Sequence, residues 1–190
     1  IDEILDETEK KIFSVSRKFL KNAFLPLDSL LADAFERIDE LHKHGGKLRG
    51  LSTGFNDLDS LLAGLQKSDL IILAARPSVG KTSLALDIAR QAAIKNKVGV
   101  GIFSLEMGKE QLVDRMICAQ ANVNLWKMRT GNLSDKEEDN DFTKIGKSMG
   151  ELAEAPIYID DSSSLSVMEI RAKCRRLQIE KGLGLIVIDY

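Results

Sequence analysis

The stretch Ala75-Arg-Pro-Ser-Val-Gly-Lys-Thr82 sets a glycine, a lysine and a hydroxyl side by side where an apolar run, Leu70–Ala74, gives way to a helical pattern, Ser83–Arg90. Strand, tight loop and helix start is the context of a phosphate-binding loop. Free backbone N–H groups at a helix start carry the positive end of the helix dipole and attract anions. The loop predicts a triphosphate cradle made by Ser78, Val79, Gly80, Lys81, Thr82 and Ser83. In it Lys81 places a full positive charge on the outer phosphates and the Thr82 hydroxyl holds Mg2+. Ala75 stands where the general pattern has its first glycine, which is compatible with any loop that keeps φ negative there. Leu185-Ile-Val-Ile-Asp189 is four apolar residues and then a carboxylate, the form of a Walker B strand, and puts Asp189 beside Thr82 in the Mg2+ shell, largely through water. Glu106, at the end of the apolar run Val98–Leu105, is placed to polarise a water that attacks a γ-phosphate. Arg115, nine positions later on the following helix, could reach the same phosphate, although a solvated helix arginine fits the spacing equally well.

These side chains need a scaffold that brings several strand ends to one edge. From Leu51 onward the predicted strands are Leu70–Ala74, Val98–Leu105, Pro156–Ile159 and Leu185–Ile188, with helices near 81–95, 109–121, 136–153 and 166–181 between them. Short continuous apolar strands alternating with helices predict an α/β fold with a parallel sheet covered on both faces. Ligands of such sheets bind beyond the carboxyl ends of the strands. Asn132–Asp141 reads as a polar surface loop entering a helix. Before the sheet, residues 1–22 read as a helix that Pro26 separates from a second one, about Asp28 to His44. Its stripe of Leu27, Leu30, Leu31, Ala34, Ile38 and Leu41 must be buried, either in the chain's own core or on a neighbouring subunit. Gly45-Gly46 ends that helix.

A chain of 190 residues accommodates one well-buried core plus an appendage. Its net charge of −2 provides no bulk attraction to nucleic acid or membrane, and aromatics at 5% give little material for base-stacking platforms. Cys118 and Cys174 lack metal-ligand spacing and read as reduced apolar residues of an intracellular protein. These residues contain no signal-peptide pattern and no apolar run near eighteen residues, so neither secretion nor a membrane span is expected. His42 and His44 sit at a helix end with no ligand pattern, and Trp126 and Met128 are expected to pack beneath a loop. The basic run Arg171–Arg176 is flanked by Glu169 and Glu180, which favours a solvated face over a nucleic-acid patch.

Four blocks in combination, Ser52–Asp59, Asp69–Thr82, Phe103–Met107 and Ile186–Tyr190, closely resemble the DnaB-type replicative DNA helicases of bacteria, whose loop characteristically reads Ala-Arg-Pro. Further matches are Arg129–Gly131, Ile157–Asp161 and Ile170–Arg176, so the likeness covers almost the whole chain. The resemblance implies a RecA-like, mostly parallel sheet and a homo-hexameric ring that hydrolyses ATP with Mg2+ and moves 5′ to 3′ on single-stranded DNA. It also implies primase and helicase-loader partners, no membrane and a cytoplasmic setting. It assigns the phosphate and Mg2+ ligands to Lys81 and Thr82, the catalytic glutamate to Glu106, the Walker B aspartate to Asp189 and a γ-phosphate contact to Arg115. Residues 1–22 would be the last helix of the amino-terminal collar, 23–46 a linker whose helix 27–44 docks on the adjacent subunit, and 47–190 the ATPase core. The family continues past the position of Tyr190 through DNA-binding loops and an arginine finger, so the 190 residues alone are expected to bind nucleotide weakly and to neither hydrolyse it well nor unwind DNA. Two other readings compete: a RecA-like ATPase of recombination or clock type, and a non-hydrolysing module that caps or recruits a ring.

Overall fold

A computed structural model describes residues 26–43, 48–136 and 140–190. The predicted helix over 1–22 and the glycine pair at 45–46 lie outside these residues, as does His44. The chain divides into two units, Ile1–Lys47 and Leu48–Tyr190.

In the first unit, helix α1 spans Leu27–Lys43. Asp28 lies in its first turn and accepts the Ser29 N–H at 2.7 Å, while His42 and Lys43 lie in the last turn, so charge opposes the helix dipole at both ends. Of the apolar stripe, Leu27, Leu30, Leu31 and Ile38 are exposed.

The second unit opens with an antiparallel bridge between Leu51 and Leu65 that encloses a short helix, α2, Asn56–Leu62. The bridge requires two backbones in near contact: a Cβ on Gly64 would stand 2.8 Å from Gly50. Asp59 of α2 is buried and accepts hydrogen bonds from Ser52 Oγ (2.6 Å), Thr53 N (2.7 Å) and Thr53 Oγ1 (2.7 Å). Burial pushes its carboxyl upward, but the donors from Ser52, Thr53 and Gly54 outweigh it and hold the group below the ordinary aspartate value. The Ser52–Asp59 block is thus a self-contained polar knot.

Next come α3 (Lys81–Asn96), β1 (Val100–Ser104), α4 (Lys109–Ala121), α5 (Leu125–Thr130), α6 (Asp141–Ala153), β2 (Ile157–Asp160), α7 (Val167–Glu180) and β3 (Leu185–Asp189). Among the described residues the sheet has three parallel strands in the order β2-β1-β3. Central β1 is buried along its whole length. Register sets Ile102 beside Ile159 and Val187, and one core holds these together with Leu86, Ala89, Ala92 and Ala93 of α3 and Leu112 and Met116 of α4. Three alanines on α3 let that helix lie close to the sheet, and the site it starts inherits that rigidity.

The expected strand Leu70–Ala74 is not formed. Residues 70–76 carry no regular structure, and Leu70 (88%) and Ile72 (80%) are almost fully exposed. An apolar run becomes a parallel strand only with a ladder partner and cover on both faces. β3 pairs with β1 alone among the described strands, and its outward residues Ile186 and Ile188 are exposed too. Trp126 also departs from expectation: it is exposed on α5 rather than packed under a loop, while half-buried Met128 sets its sulfur 3.2 Å from that of Cys118. The acidic loop does enter a helix: Asn140 caps α6 by accepting the Thr143 N–H, and buried Asp141 accepts the Ser134 N–H at 2.9 Å. On α7 no residue is buried, and two of its cations are paired, Lys173 with Asp160 of β2 and Arg176 with Glu180 on the same helix, as on a solvated face.

Candidate functional site

The loop residues Pro77 and Ser78 form a turn, closed by Val79 N–H donating to the Arg76 carbonyl at 3.4 Å, and α3 begins at Lys81. Ser78 has φ +65° and Gly80 φ +103°, so the backbone reverses twice within three residues. Successive reversals of this kind turn N–H groups toward a common point, an anion-binding concavity. At Gly80 only the backbone demands glycine, because an added Cβ would meet nothing within 4 Å. Ala75 is not among the residues with positive φ, so alanine satisfies that position.

Chain separation makes the next contact informative. Thr82 Oγ1 donates to Asp189 Oδ2 at 2.7 Å across 107 residues, and Lys81 Nζ lies 3.2 Å from Asp189 Oδ1. Lys81 also donates to the Tyr190 carbonyl at 3.2 Å and stands 5.8 Å from the Tyr190 ring centroid. Asp189 is only 6% exposed. A buried carboxylate at a strand end meeting a hydroxyl from a helix start is a pair of hard-oxygen donors suited to Mg2+, and the adjacent ammonium offers positive charge to an anion. The fit is to an ion that takes its other ligands from phosphate and water: among the described residues no three His, Cys, Asp or Glu side chains cluster as a metal cage.

Arg115 comes to the same helix start. Its Nη1 donates to Ser83 Oγ at 3.3 Å, and its Nε is buried without a protein partner. The Arg115–Ser83 contact borders an open groove of about 490 Å3 between α3 and α4, lined further by Leu86, Met116, Asn122 and Leu125. That groove lies beside the loop rather than over it, since Ser83 is the only loop residue in its wall. Glu106 sits past the end of β1 in a bend and is exposed, and the hydrogen bonds and ion pairs of Lys81, Thr82 and Asp189 do not include it. The bend is tied to β3 by Leu105 N–H donating to the Asp189 carbonyl at 2.9 Å. Lys81, Thr82 and Asp189 are therefore in contact, Arg115 joins them through Ser83, and Glu106 belongs to the same strand-end edge at a remove. Val79 points to solvent, 70% exposed.

Two polar groups at this edge escaped the reading of the sequence. Asp160, last residue of β2, accepts Ser162 N (3.1 Å), Ser162 Oγ (2.6 Å) and the Lys173 ammonium. The Lys173 hydrogen bond, then Ser162, hold its carboxyl below the ordinary value. Asp161 accepts the Lys109 N–H at 3.1 Å. Lys173 and Lys109 lie on other elements, which spacing does not reveal.

Known proteins are similar to this chain over its whole length. It is 50% identical over 190 residues to the replicative DNA helicase DnaB of Geobacillus stearothermophilus, covering all of this chain and 41% of that one. It is 48% identical over 190 residues to the replicative DNA helicase DnaC of Bacillus subtilis strain 168, again 100% of this chain and 41% of the relative. The chain thus spans about two-fifths of the length of these curated relatives. Among solved structures, one described as an ATPase domain superposes with a TM-score of 0.77 at 29% identity, over 88% of this chain and 58% of that one. A DnaB-like replicative helicase studied for its interactions with primase superposes at 0.76 and 28% identity, over 97% and 43%. The sheet and its helices are accordingly RecA-like. Residues 50–190, from the Leu51–Leu65 bridge to the strand that carries Asp189, match the DnaB-like helicase C terminal domain, and the chain belongs to that family.

Proposed function

We propose that this chain carries the phosphate-binding half of the ATPase site in a bacterial replicative DNA helicase subunit, in which ATP hydrolysis around a hexameric ring drives 5′ to 3′ movement on single-stranded DNA and duplex separation. The observation that carries the reading is the meeting of Lys81 and Thr82 with buried Asp189, which lies 107 residues after Thr82.

In this reading the N–H groups of Ser78–Ser83 receive the β- and γ-phosphates, and Lys81 exchanges its pairing with Asp189 for a phosphate oxygen. Thr82 and Asp189 would hold Mg2+, which would supply positive charge against the phosphates. Glu106 orients and deprotonates the attacking water, and exposure in the bend leaves it free to swing toward a bound nucleotide. Arg115, already at Ser83, reaches over the helix start to the γ-phosphate. Residues 1–22 belong to an amino-terminal collar domain, 23–46 serve as linker and 47–190 as core. The exposed stripe of α1 supports docking of helix 27–44 on an adjacent subunit. Primase and loader act as partners in the bacterial cytoplasm. No described helix is long and apolar enough to cross a membrane. The chain alone binds nucleotide weakly and turns it over poorly.

The test uses a hybrid in which this chain replaces its counterpart in the Geobacillus stearothermophilus helicase, to which it is 50% identical over 190 residues. Lys81→Ala and Glu106→Ala should each abolish ATP turnover and forked-duplex unwinding. Retention of both activities by both variants would show the site assignment to be wrong.

A further inference from the structure

Glu106 is held in the four-residue segment Leu105-Glu106-Met107-Gly108 between β1 and α4, whose first three residues form a bend. Three hydrogen bonds fix the backbone around it. Leu105 N–H donates to the Asp189 carbonyl of β3 at 2.9 Å, and Met107 N–H donates to Ser104 Oγ at 3.1 Å. Lys109 N–H donates to Asp161 Oδ2 at 3.1 Å, across 52 residues. The bend is thus anchored by β3 on one side, by its own strand in the middle and by the residue after β2 on the other.

The third anchor has a particular cause. The residue before α4 is Gly108, which has no side chain to cap the helix, so the first N–H groups of α4 need an acceptor from elsewhere. Asp161 supplies a carboxylate, which is also the charge favoured at a helix amino terminus. Alternation along an extended chain explains how neighbouring carboxylates divide the work: Asp160 is committed to Ser162 and Lys173 of α7, and Asp161 turns the other way, to α4. Of the three anchors one is a backbone carbonyl and one, Ser104, is buried in the sheet, so Asp161 is the one whose side chain can be altered without disturbing the core or the phosphate loop.

We infer that Asp161 is a positioning residue: by capping α4 from the end of β2 it fixes the bend that presents Glu106 to the γ-phosphate. The inference rests on the hydrolytic reading of Glu106 above. Misplacing a reacting group by about 1 Å can cost roughly a hundredfold in rate, and loss of a supporting hydrogen bond costs about tenfold to a hundredfold. The hydrogen bond of Asp161 goes to Lys109 and not to the phosphate loop, so ground-state binding of nucleotide is spared.

In the hybrid helicase, Asp161→Ala should lower kcat for ATP about tenfold or more with KM within about twofold, whereas Asp161→Asn, which keeps an acceptor oxygen, should stay within about threefold of the parent. In the 190-residue chain itself, Asp161→Ala should speed hydrogen exchange of the Lys109 amide, with exchange in the β1 core unchanged. An unchanged kcat in Asp161→Ala, whatever the exchange rate, overturns the inference. So does a KM that rises as kcat falls, or an unchanged Lys109 exchange rate. Glu106→Gln separates the two levels: if it loses turnover while Asp161→Ala does not, only the positioning role fails, and if it retains turnover, the reading of Glu106 fails as well.

Discussion

Gly80→Ala isolates what the phosphate loop demands of its backbone. Gly80 has φ +103° and ψ 23°, and a Cβ built there meets nothing within 4 Å, so the substitution introduces no clash. Its whole effect is conformational. A non-glycine residue in such a sparsely populated region costs about 1–3 kcal/mol. Two outcomes share that free energy. If the loop keeps its shape, urea denaturation should show stability lower by about 1–3 kcal/mol with the m-value unchanged. If the loop relaxes to negative φ, the N–H groups turn away and the same free energy appears as affinity, roughly a 5- to 150-fold weaker Kd for a fluorescent ATP analogue. Ala75→Gly is the control, because Ala75 has no positive φ to relieve. It should leave affinity unchanged and cost at most about 0.4–1 kcal/mol through a more flexible unfolded chain. Gly80→Ala with both stability and affinity intact would refute the claim that this reversal builds the anion site.

Other expectations follow from the same structure. Glu106→Gln in the hybrid helicase should bind ATP normally and lose about 10²–10⁴ in turnover, measured by phosphate release, since general-base catalysis is worth about that much. Leu112→Ala empties a fully buried position of the central core and should cost about 2–5 kcal/mol in denaturant melts. Asp59 ties the segment before the loop together, and its carboxyl lies below the ordinary value of 3.8 when folded. Its contribution is therefore fully present above about pH 4 and is lost as pH falls through the folded value. Asp59→Ala should be less stable than the parent at neutral pH, with the difference shrinking in more acidic solution.

How much of this could be read from residue order varies with the length scale of each interaction. Lys81, Thr82 and Asp189 were legible because their chemistry is local to a loop and a strand end, and only their meeting needed the fold. β1, β2 and β3 were legible to within two residues, since apolar runs bounded by polar turns mark strands. The run Leu70–Ala74 carries the same signal and forms no strand, because a ladder partner is a property of neighbouring segments and not of the run. α2 and α5, with 7 and 6 residues, are too short to show a periodic stripe. The roles of Asp59 and Asp161 were hidden for another reason: an aspartate that accepts backbone N–H groups looks like any surface aspartate until its partners are placed.

The central claim, that Ser78–Thr82 together with Asp189 is where a nucleoside triphosphate sits, can be tested on the chain itself. Amide chemical shifts would be followed by NMR as ATP with Mg2+ is titrated in, a readout that tolerates weak binding. Saturable shifts centred on Ser78–Ser83 and Asp189, abolished by Lys81→Ala, are the expected result. Shifts confined to the groove at Asn122 and Leu125, or a titration unaffected by Lys81→Ala, would contradict it.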